Sequence, residues 1–225
     1  MNNIVITGFD YNYFNIFGIS WLASLRELGK YSGPVLVITF DNFSKNIVEK
    51  LSKENVFLTF CDKNKSRINT LKYFIDNILP EKNANYVYWD IDGYFEDCIE
   101  EVFSFSGNKL TFTNNKNTGF IIGNNIAWQE FKKYDGLLNL CSLQPSTDLP
   151  NYFPNLFNYV DDKWNYCEPA RLLNSNKLNK FVHFSGAIKS VATEELLFST
   201  KYPEIYKEWK EKFIHKPVLN KFLVK

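Results

Sequence analysis

Long apolar runs, paired cysteines, histidine and an excess of either charge are all scarce in this sequence. The apolar-leaning stretch from Phe14 to Leu25 is interrupted and shorter than the roughly 20 residues that a membrane-spanning helix needs. The opening Met1-Asn2-Asn3-Ile4 has no basic region ahead of an apolar run, so no secretory signal is expected. The four cysteines (Cys61, Cys98, Cys141 and Cys167) are scattered and form no Cys-x-x-Cys pair. That argues against a zinc site or a disulfide framework and fits a reducing compartment. A formal net charge of +1 over 225 residues gives no general attraction to nucleic acid. No repeat, low-complexity tract or linker breaks the chain. The expectation is a soluble cytoplasmic protein that binds no nucleic acid.

What the chain does have is apolar and aromatic side chain. Hydrophobic residues make up 45% and aromatics 17%, enough to bury a core without disulfide staples. One domain over residues 1–225 is the economical reading of that length. The tail, residues 201–225, is different in character, with seven lysines against three glutamates and interleaved Tyr202, Tyr206, Trp209, Phe213 and Phe222. Its plain reading is a surface helix with a solvated charged face. Its functional reading is a peripheral contact with anionic membrane headgroups.

Strand and helix patterns alternate through the first half. Residues 4–7 read as a short buried strand. A helix follows with Phe14, Phe17, Trp21, Leu22, Leu25 and Leu28 at helical spacing and Gly29 near its end. Residues 34–40 (PVLVITF) have the unbroken apolar character of a parallel strand buried on both faces. Ile47, Val48 and Leu51 mark a helix and residues 56–60 a third strand. Ser66 suits a helix cap before Ile68, Leu71, Ile75 and Ile78, with Pro80 closing that helix. A fourth strand runs into Asp90. This β-α order predicts a mostly parallel sheet with helices on both faces. Beyond it, residues 110–113 and 119–122 read as strands, 127–140 as a helix and 181–184 as a last strand. The proline-rich residues 144–169 read as mostly loop.

Four segments carry residues suited to chemistry. Residues 7–13 (TGFDYNY), just past the first strand, offer an aromatic face and an acidic acceptor to a nucleobase; an ordinary βα loop would look the same. Arg67 opens the helix before the fourth strand, where a lone arginine is commonly a solvated surface residue. Asp90 and Asp92 follow the apolar run Tyr86-Val87-Tyr88-Trp89. On extended chain such i, i+2 side chains point the same way and can share one hard cation. Finally, His183 heads the segment His183-Phe184-Ser185-Gly186-Ala187-Ile188-Lys189. A lone histidine on an apolar strand is commonly a packed core residue, but Gly186 permits close backbone approach and Lys189 supplies a charge for phosphate.

In this order the segments resemble the GT-A glycosyltransferases, most closely the family 8 group of glycogenin and the bacterial lipooligosaccharide galactosyltransferases. The resemblance spans roughly residues 4–190. It rests on the Asp-x-Asp at the end of an aromatic strand, on Asn117-Thr118-Gly119-Phe120, on Trp164-Asn165, and on the His-aromatic-x-Gly-x-x-Lys segment from His183 to Lys189. It implies an α/β fold of GT-A type: a mostly parallel, Rossmann-like sheet flanked by helices, with residues 1–92 the nucleotide-binding half. Residues 93–225 would form an irregular acceptor half and a C-terminal helix. It implies manganese, or magnesium, on Asp90, Asp92 and His183. A nucleotide-sugar donor, UDP-linked, would be bound by Thr7, Asp10, Tyr13, Arg67, Gly186 and Lys189. Asn117 would line the sugar site. Asp148 is the nearest candidate for the family's Asp-Gln-Asp segment, which supplies a residue near the anomeric carbon, so Asn117 and Asp148 are the expected catalytic residues. The acceptor would be a carbohydrate or a lipid-linked or protein group, and configuration would be retained. The chain departs from the family pattern at Lys116, where phenylalanine is usual, and at Ser190, where proline and tryptophan commonly continue.

Two other readings compete. Asp90-Ile91-Asp92-Gly93 also resembles the first motif of haloacid-dehalogenase-type phosphatases, in which the first Asp is a nucleophile and Asp161-Asp162 would supply the later acidic motif. Against it, Tyr94 stands where threonine is expected and the motif comes late in the chain. A non-catalytic nucleotide-sugar-binding protein could share the same fold.

Overall fold

The structure, a computed structural model, describes residues 2–63, 67–77, 79, 84–117, 119–132, 154–167 and 179–183. The expected alternation is present. Strand β1 (Asn2–Phe9) leads through a short helix α1 (Tyr11–Tyr13) and a π-helical stretch, Phe14–Gly18, into α2 (Ile19–Glu27). Then come β2 (Val35–Thr39), α3 (Lys45–Lys53), β3 (Val56–Phe60), α4 (Arg67–Asn77) and β4 (Ala84–Trp89). The second half adds β5 (Gly93–Phe95), β6 (Thr111–Thr113), β7 (Phe120–Asn124), α5 (Asn125–Lys132), β8 (Asn158–Val160), β9 (Tyr166–Cys167) and β10 (Phe181–His183).

Seven strands form the large sheet in the order β3-β2-β1-β4-β7-β6-β8. Neighbours β3, β2, β1 and β4 are parallel, β7 is antiparallel to β4 and β6, and β8 is parallel to β6. The chain winds outward from β1 to β3, then returns past β1 to β4. The direction of winding therefore switches between β1 and β4, and open α/β sheets bind ligands at the carboxyl ends of such strands.

Both faces of this sheet are covered, as the unbroken apolar character of β2 and β4 requires. Val5, Val37, Val87 and Trp89 pack with Phe14, Phe17, Trp21, Ile47 and Leu51 from the first helices. On the other face Ile6, Ile38, Tyr86 and Tyr88 meet Leu71, Phe74 and Trp128 of α4 and α5. The Phe74 ring lies edge-on to both Tyr86 and Trp128, at 5.1 Å between centroids.

A second sheet, β5-β10-β9, grows out of the end of β4. Trp89 couples the two. Its ring packs on Phe95 of β5, Phe120 of β7 and Phe181 of β10, with centroids 5.0, 5.2 and 6.0 Å away. Its Nε1 donates to the Trp164 carbonyl at 2.9 Å. Truncating a fully buried tryptophan of this kind to alanine costs about 3–5 kcal/mol.

Residues 144–169, expected to be mostly loop, are described from 154 to 167. The described part contains β8, which closes one edge of the large sheet, and β9. The prolines pointed to loop, and strands of three and two residues are too short to show a period. Strand β5 was likewise not expected. The helix expected over 127–140 starts at Asn125 and is described as far as Lys132. Ser66, Ile78, Pro80, residues 133–153 and 168–178, and everything from Phe184 to the tail lie outside the described residues. Among the described residues no helix is long and apolar enough to cross a membrane.

Candidate metal and nucleotide site

Asp90 is the first residue past β4, at the switch point. Its backbone is held on both sides: its N–H donates to the Gly119 carbonyl at 2.9 Å, and its carbonyl accepts from Trp21 Nε1 at 3.0 Å. The chain then bends at Ile91 and Asp92, and the Gly93 N–H donates back to the Ile91 carbonyl at 3.0 Å, closing a tight three-residue turn around Asp92. The two carboxylates therefore converge through a turn and not through the strand alternation expected from the sequence.

His183 is brought in by the small sheet. In the antiparallel pairing of β10 with β5 it stands opposite Gly93, one residue beyond Asp92. A side chain at Gly93 would run into the Val182 carbonyl and the Phe181 ring, so this close pairing needs glycine. Lys180 fastens the entry to β10, donating to Asp97 Oδ2 at 2.6 Å and to the Cys98 carbonyl at 3.0 Å. That ammonium, with the Cys98 N–H, holds the Asp97 carboxyl below the usual carboxylate range.

His183 Nε2 lies 3.4 Å from Asp90 Oδ2 and 3.2 Å from Asp92 Oδ1. One ligand atom from each of Asp90, Asp92 and His183 falls within 4.8 Å of the others. Adjacent donors on an octahedral cation with bonds of about 2.1 Å stand about 3 Å apart, so the two His183 spacings are open by a few tenths of an ångström. The imidazole is fully buried, while the Asp90 and Asp92 side chains are 8% and 19% exposed. Two carboxylates beside at most one imidazolium leave net negative charge, and a divalent cation balances such charge better than water does at this depth. The donor set fits manganese or magnesium.

Two neighbours shape the cluster, and neither was expected from the sequence to act at the cation. The Tyr88 hydroxyl donates to Asp90 Oδ1 at 2.6 Å. Gly119 leaves space for the imidazole: a Cβ there would lie 2.5 Å from His183 Cε1 and 2.7 Å from Nδ1. The i−2 spacing from Asp90 was the available signal for Tyr88. No sequence signal marks Gly119 as a neighbour of His183.

The other expected residues are placed less uniformly. Thr7 is fully buried, on the face of β1 that carries Val5 and Phe9. Asp10 caps α1, its Oδ1 accepting from the Tyr13 N–H at 2.8 Å. Tyr13 is half-buried with its ring 5.9 Å from Phe17. The exposed aromatic of this turn is Tyr11, 45% accessible, its ring 5.5 Å from Phe43 and its N–H donating to Asp41 Oδ2 at 2.8 Å. Asn117 Oδ1 accepts from the Gly119 N–H at 2.7 Å and from Asn165 Nδ2 at 3.2 Å, so it braces the loop before β7. Asn115 extends that brace, its Nδ2 donating to the Asn165 carbonyl at 2.8 Å. Between them Lys116 takes a left-handed φ of 58°. Arg67 is the first residue of α4. Thr118, Asp148, Gly186 and Lys189 lie outside the described residues.

No model of a known protein family matches the sequence, and no curated protein matches it. Solved structures do. An active-site mutant of LgtC matches 98% of this chain and 100% of its own at 13% identity, with a TM-score of 0.64. The glycosyltransferase GlyE of Streptococcus pneumoniae TIGR4, in its apo form, matches 94% of this chain at 16% identity and a TM-score of 0.62. The bifunctional glycosyltransferase WbbM matches 98% of this chain at 15% identity, also at 0.62. The fold is that of the GT-A glycosyltransferases. The chain spans 64% of the length of GlyE and 51% of WbbM. At these identities the likeness is one of fold, and LgtC has also been solved with donor and acceptor sugar analogs bound. Within this GT-A fold, Asp90, Asp92 and His183 meet at the carboxyl end of β4, beside the turn that follows β1.

Proposed function

We propose that the chain is a metal-dependent glycosyltransferase. It moves a hexose from a uridine diphosphate donor to a carbohydrate, lipid-linked or protein acceptor, with retention of configuration. The observation that carries the reading is the meeting of Asp90, Asp92 and His183 at the switch point of a GT-A sheet. These three residues would hold manganese or magnesium, which when bound would neutralise charge developing on the leaving diphosphate. Residues 1–92 serve the nucleotide in this reading and residues 93–225 the acceptor. Tyr11 presents the accessible ring for a base, beside Asp41 and Phe43. The resemblance assigns Arg67, Gly186 and Lys189 to the diphosphate and Asn117 and Asp148 to the sugar. Retention rests on that resemblance.

The phosphatase reading asks Asp90 to be a nucleophile. Instead Tyr88 engages one of its oxygens and His183 faces the other, an arrangement suited to a ligand and not to an attacking group. The experiment is calorimetric titration of UDP, with and without manganese, into the wild type and Asp92→Ala. Manganese-dependent UDP binding that is lost in the variant supports the proposal, and UDP-sugars are then screened for turnover. Absence of UDP binding in both conditions sinks the uridine donor. Binding without turnover on any acceptor would favour the non-catalytic alternative.

A further inference from the structure

We propose that Tyr88 is a positioning residue that makes Asp90 a one-oxygen ligand. The inference rests on the metal-dependent reading above and deepens it. Tyr88 is 2% exposed, and its hydroxyl reaches Asp90 Oδ1 at 2.6 Å, the length of a charge-assisted bond to a carboxylate. The opposite oxygen, Oδ2, is the one that faces His183 Nε2 at 3.4 Å. Each oxygen of Asp90 therefore has its own task.

The backbone of Asp90 does not need Tyr88. Gly119 accepts from its N–H and Trp21 donates to its carbonyl, so the peptide groups are fixed independently of the phenol. What remains soft is the rotation of the carboxylate about its own terminal bond, a broad two-fold torsion. Tyr88 stops that rotation. It also disfavours two-oxygen chelation by Asp90, because the phenol takes one lone pair of Oδ1 and fixes the carboxylate plane. Small octahedral cations take single oxygens in near-ideal directions, whereas calcium accepts six to eight ligands and often both oxygens of a carboxylate. Tyr88 thus tilts the site towards manganese and magnesium and away from calcium.

The test titrates manganese alone and calcium alone into the wild type, Tyr88→Phe and Tyr31→Phe, with thermal melts of each apo protein. Tyr31 is a buried control, because its hydroxyl donates to the Asn3 and Pro34 carbonyls at the other end of the sheet. Removing an outer partner of a metal ligand typically costs 10–100-fold in affinity. Tyr88→Phe is expected to lose about 10-fold or more for manganese and clearly less for calcium, narrowing the preference. Tyr31→Phe is expected to melt lower and to bind both ions as the wild type does. Should Tyr88→Phe fail to fold, Tyr88→Met, a flexible apolar side chain without a hydroxyl, takes its place. Unchanged manganese affinity, or equal loss of both ions, makes Tyr88 a packing residue and overturns the inference alone. A wild type that binds no manganese overturns it together with the metal-dependent reading.

Discussion

Adding one methyl group at Gly119 tests whether the cation site is as tightly built as its distances indicate. Gly119 carries no backbone reason to be glycine, since its φ lies outside the left-handed range. Alanine there is opposed by neighbours only. Its Cβ would lie 2.5 Å from His183 Cε1, 2.7 Å from Nδ1 and 2.9 Å from Asn117 Oδ1, where ordinary contact starts at 3.4 Å. Relief against Cε1 alone requires 3.4 minus 2.5, or about 0.9 Å, of ring movement. The imidazole is fully buried on a strand paired to β5, so it cannot withdraw without moving β10. Overpacking of this size costs about 1–3 kcal/mol. A ring displacement of about 0.9 Å would change the Nε2 spacings of 3.2 and 3.4 Å by up to that amount, enough to spoil the near-ideal directions a small cation needs.

Manganese affinity in Gly119→Ala should therefore fall by at least about 10-fold, as for loss of a group that orients a ligand. Calorimetry reads the affinity, and a thermal melt of the apo protein reads the strain. At 225 residues a loss of 1–3 kcal/mol corresponds to a lowering of roughly 2–12 °C. Gly107→Ala is the control, since a Cβ there meets nothing within 4 Å. It should bind as the wild type does and melt at the same temperature or slightly higher. A Gly119→Ala protein with wild-type manganese affinity would refute the reasoning, because the ring would then have slack that the distances deny.

Three further outcomes are expected. Thr7 Oγ1 is buried without a hydrogen-bond partner among the described residues, so Thr7→Val should stabilise by about 1 kcal/mol in urea and leave UDP binding unchanged; weaker UDP binding would restore Thr7 as a ligand contact. Tyr11→Ala should cost about 1–3 kcal/mol of UDP affinity through lost base stacking and leave manganese affinity alone; an equal UDP affinity would remove Tyr11 from the site. Asp97, held below its ordinary range by Lys180, stabilises the fold above the free carboxylate value of about 3.9 and loses that contribution as pH falls through its depressed value. Its side chain is 46% exposed, so Asp97→Asn should cost no more than about 1 kcal/mol at pH 7 and should converge with the wild type in acid; parallel stability curves down to low pH would count against the pair.

What could be read from the sequence follows from how local each signal was. Strands β2 and β4 announced themselves because a strand buried on both faces is a continuous apolar run, and the helices between the strands carry one apolar stripe each. The doublet Asp90 and Asp92 was visible for the same reason, as two charges ending such a run. Its geometry was not, because the turn that joins the carboxylates depends on Gly93 having no side chain against β10, a contact between residues about ninety positions apart. Composition and period cannot relate residue 92 to residue 183; only the family resemblance paired them. The same limit explains Tyr11 and Thr7. Both sit in one short segment, and only the pairing of β1 with β2 shows that Thr7 faces the core while Tyr11 stays open.

The two-sheet construction accounts for why so many aromatics surround a three-residue cluster. Asp90 and Asp92 belong to the end of the large sheet and His183 to the small one, so donor spacing is set by how rigidly the sheets are joined. Trp89 makes that joint: it immediately precedes Asp90, and its ring reaches Phe181, two residues before His183. A change at Trp89 would therefore act on ligand spacing as well as on stability, whereas a change at Phe74 or Trp128, on the opposite face, would act on stability alone. Tyr88 lies on that same opposite face yet reaches Asp90 through its hydroxyl, so contact with a ligand or with the joint between the sheets, and not depth, couples a core residue to the cation.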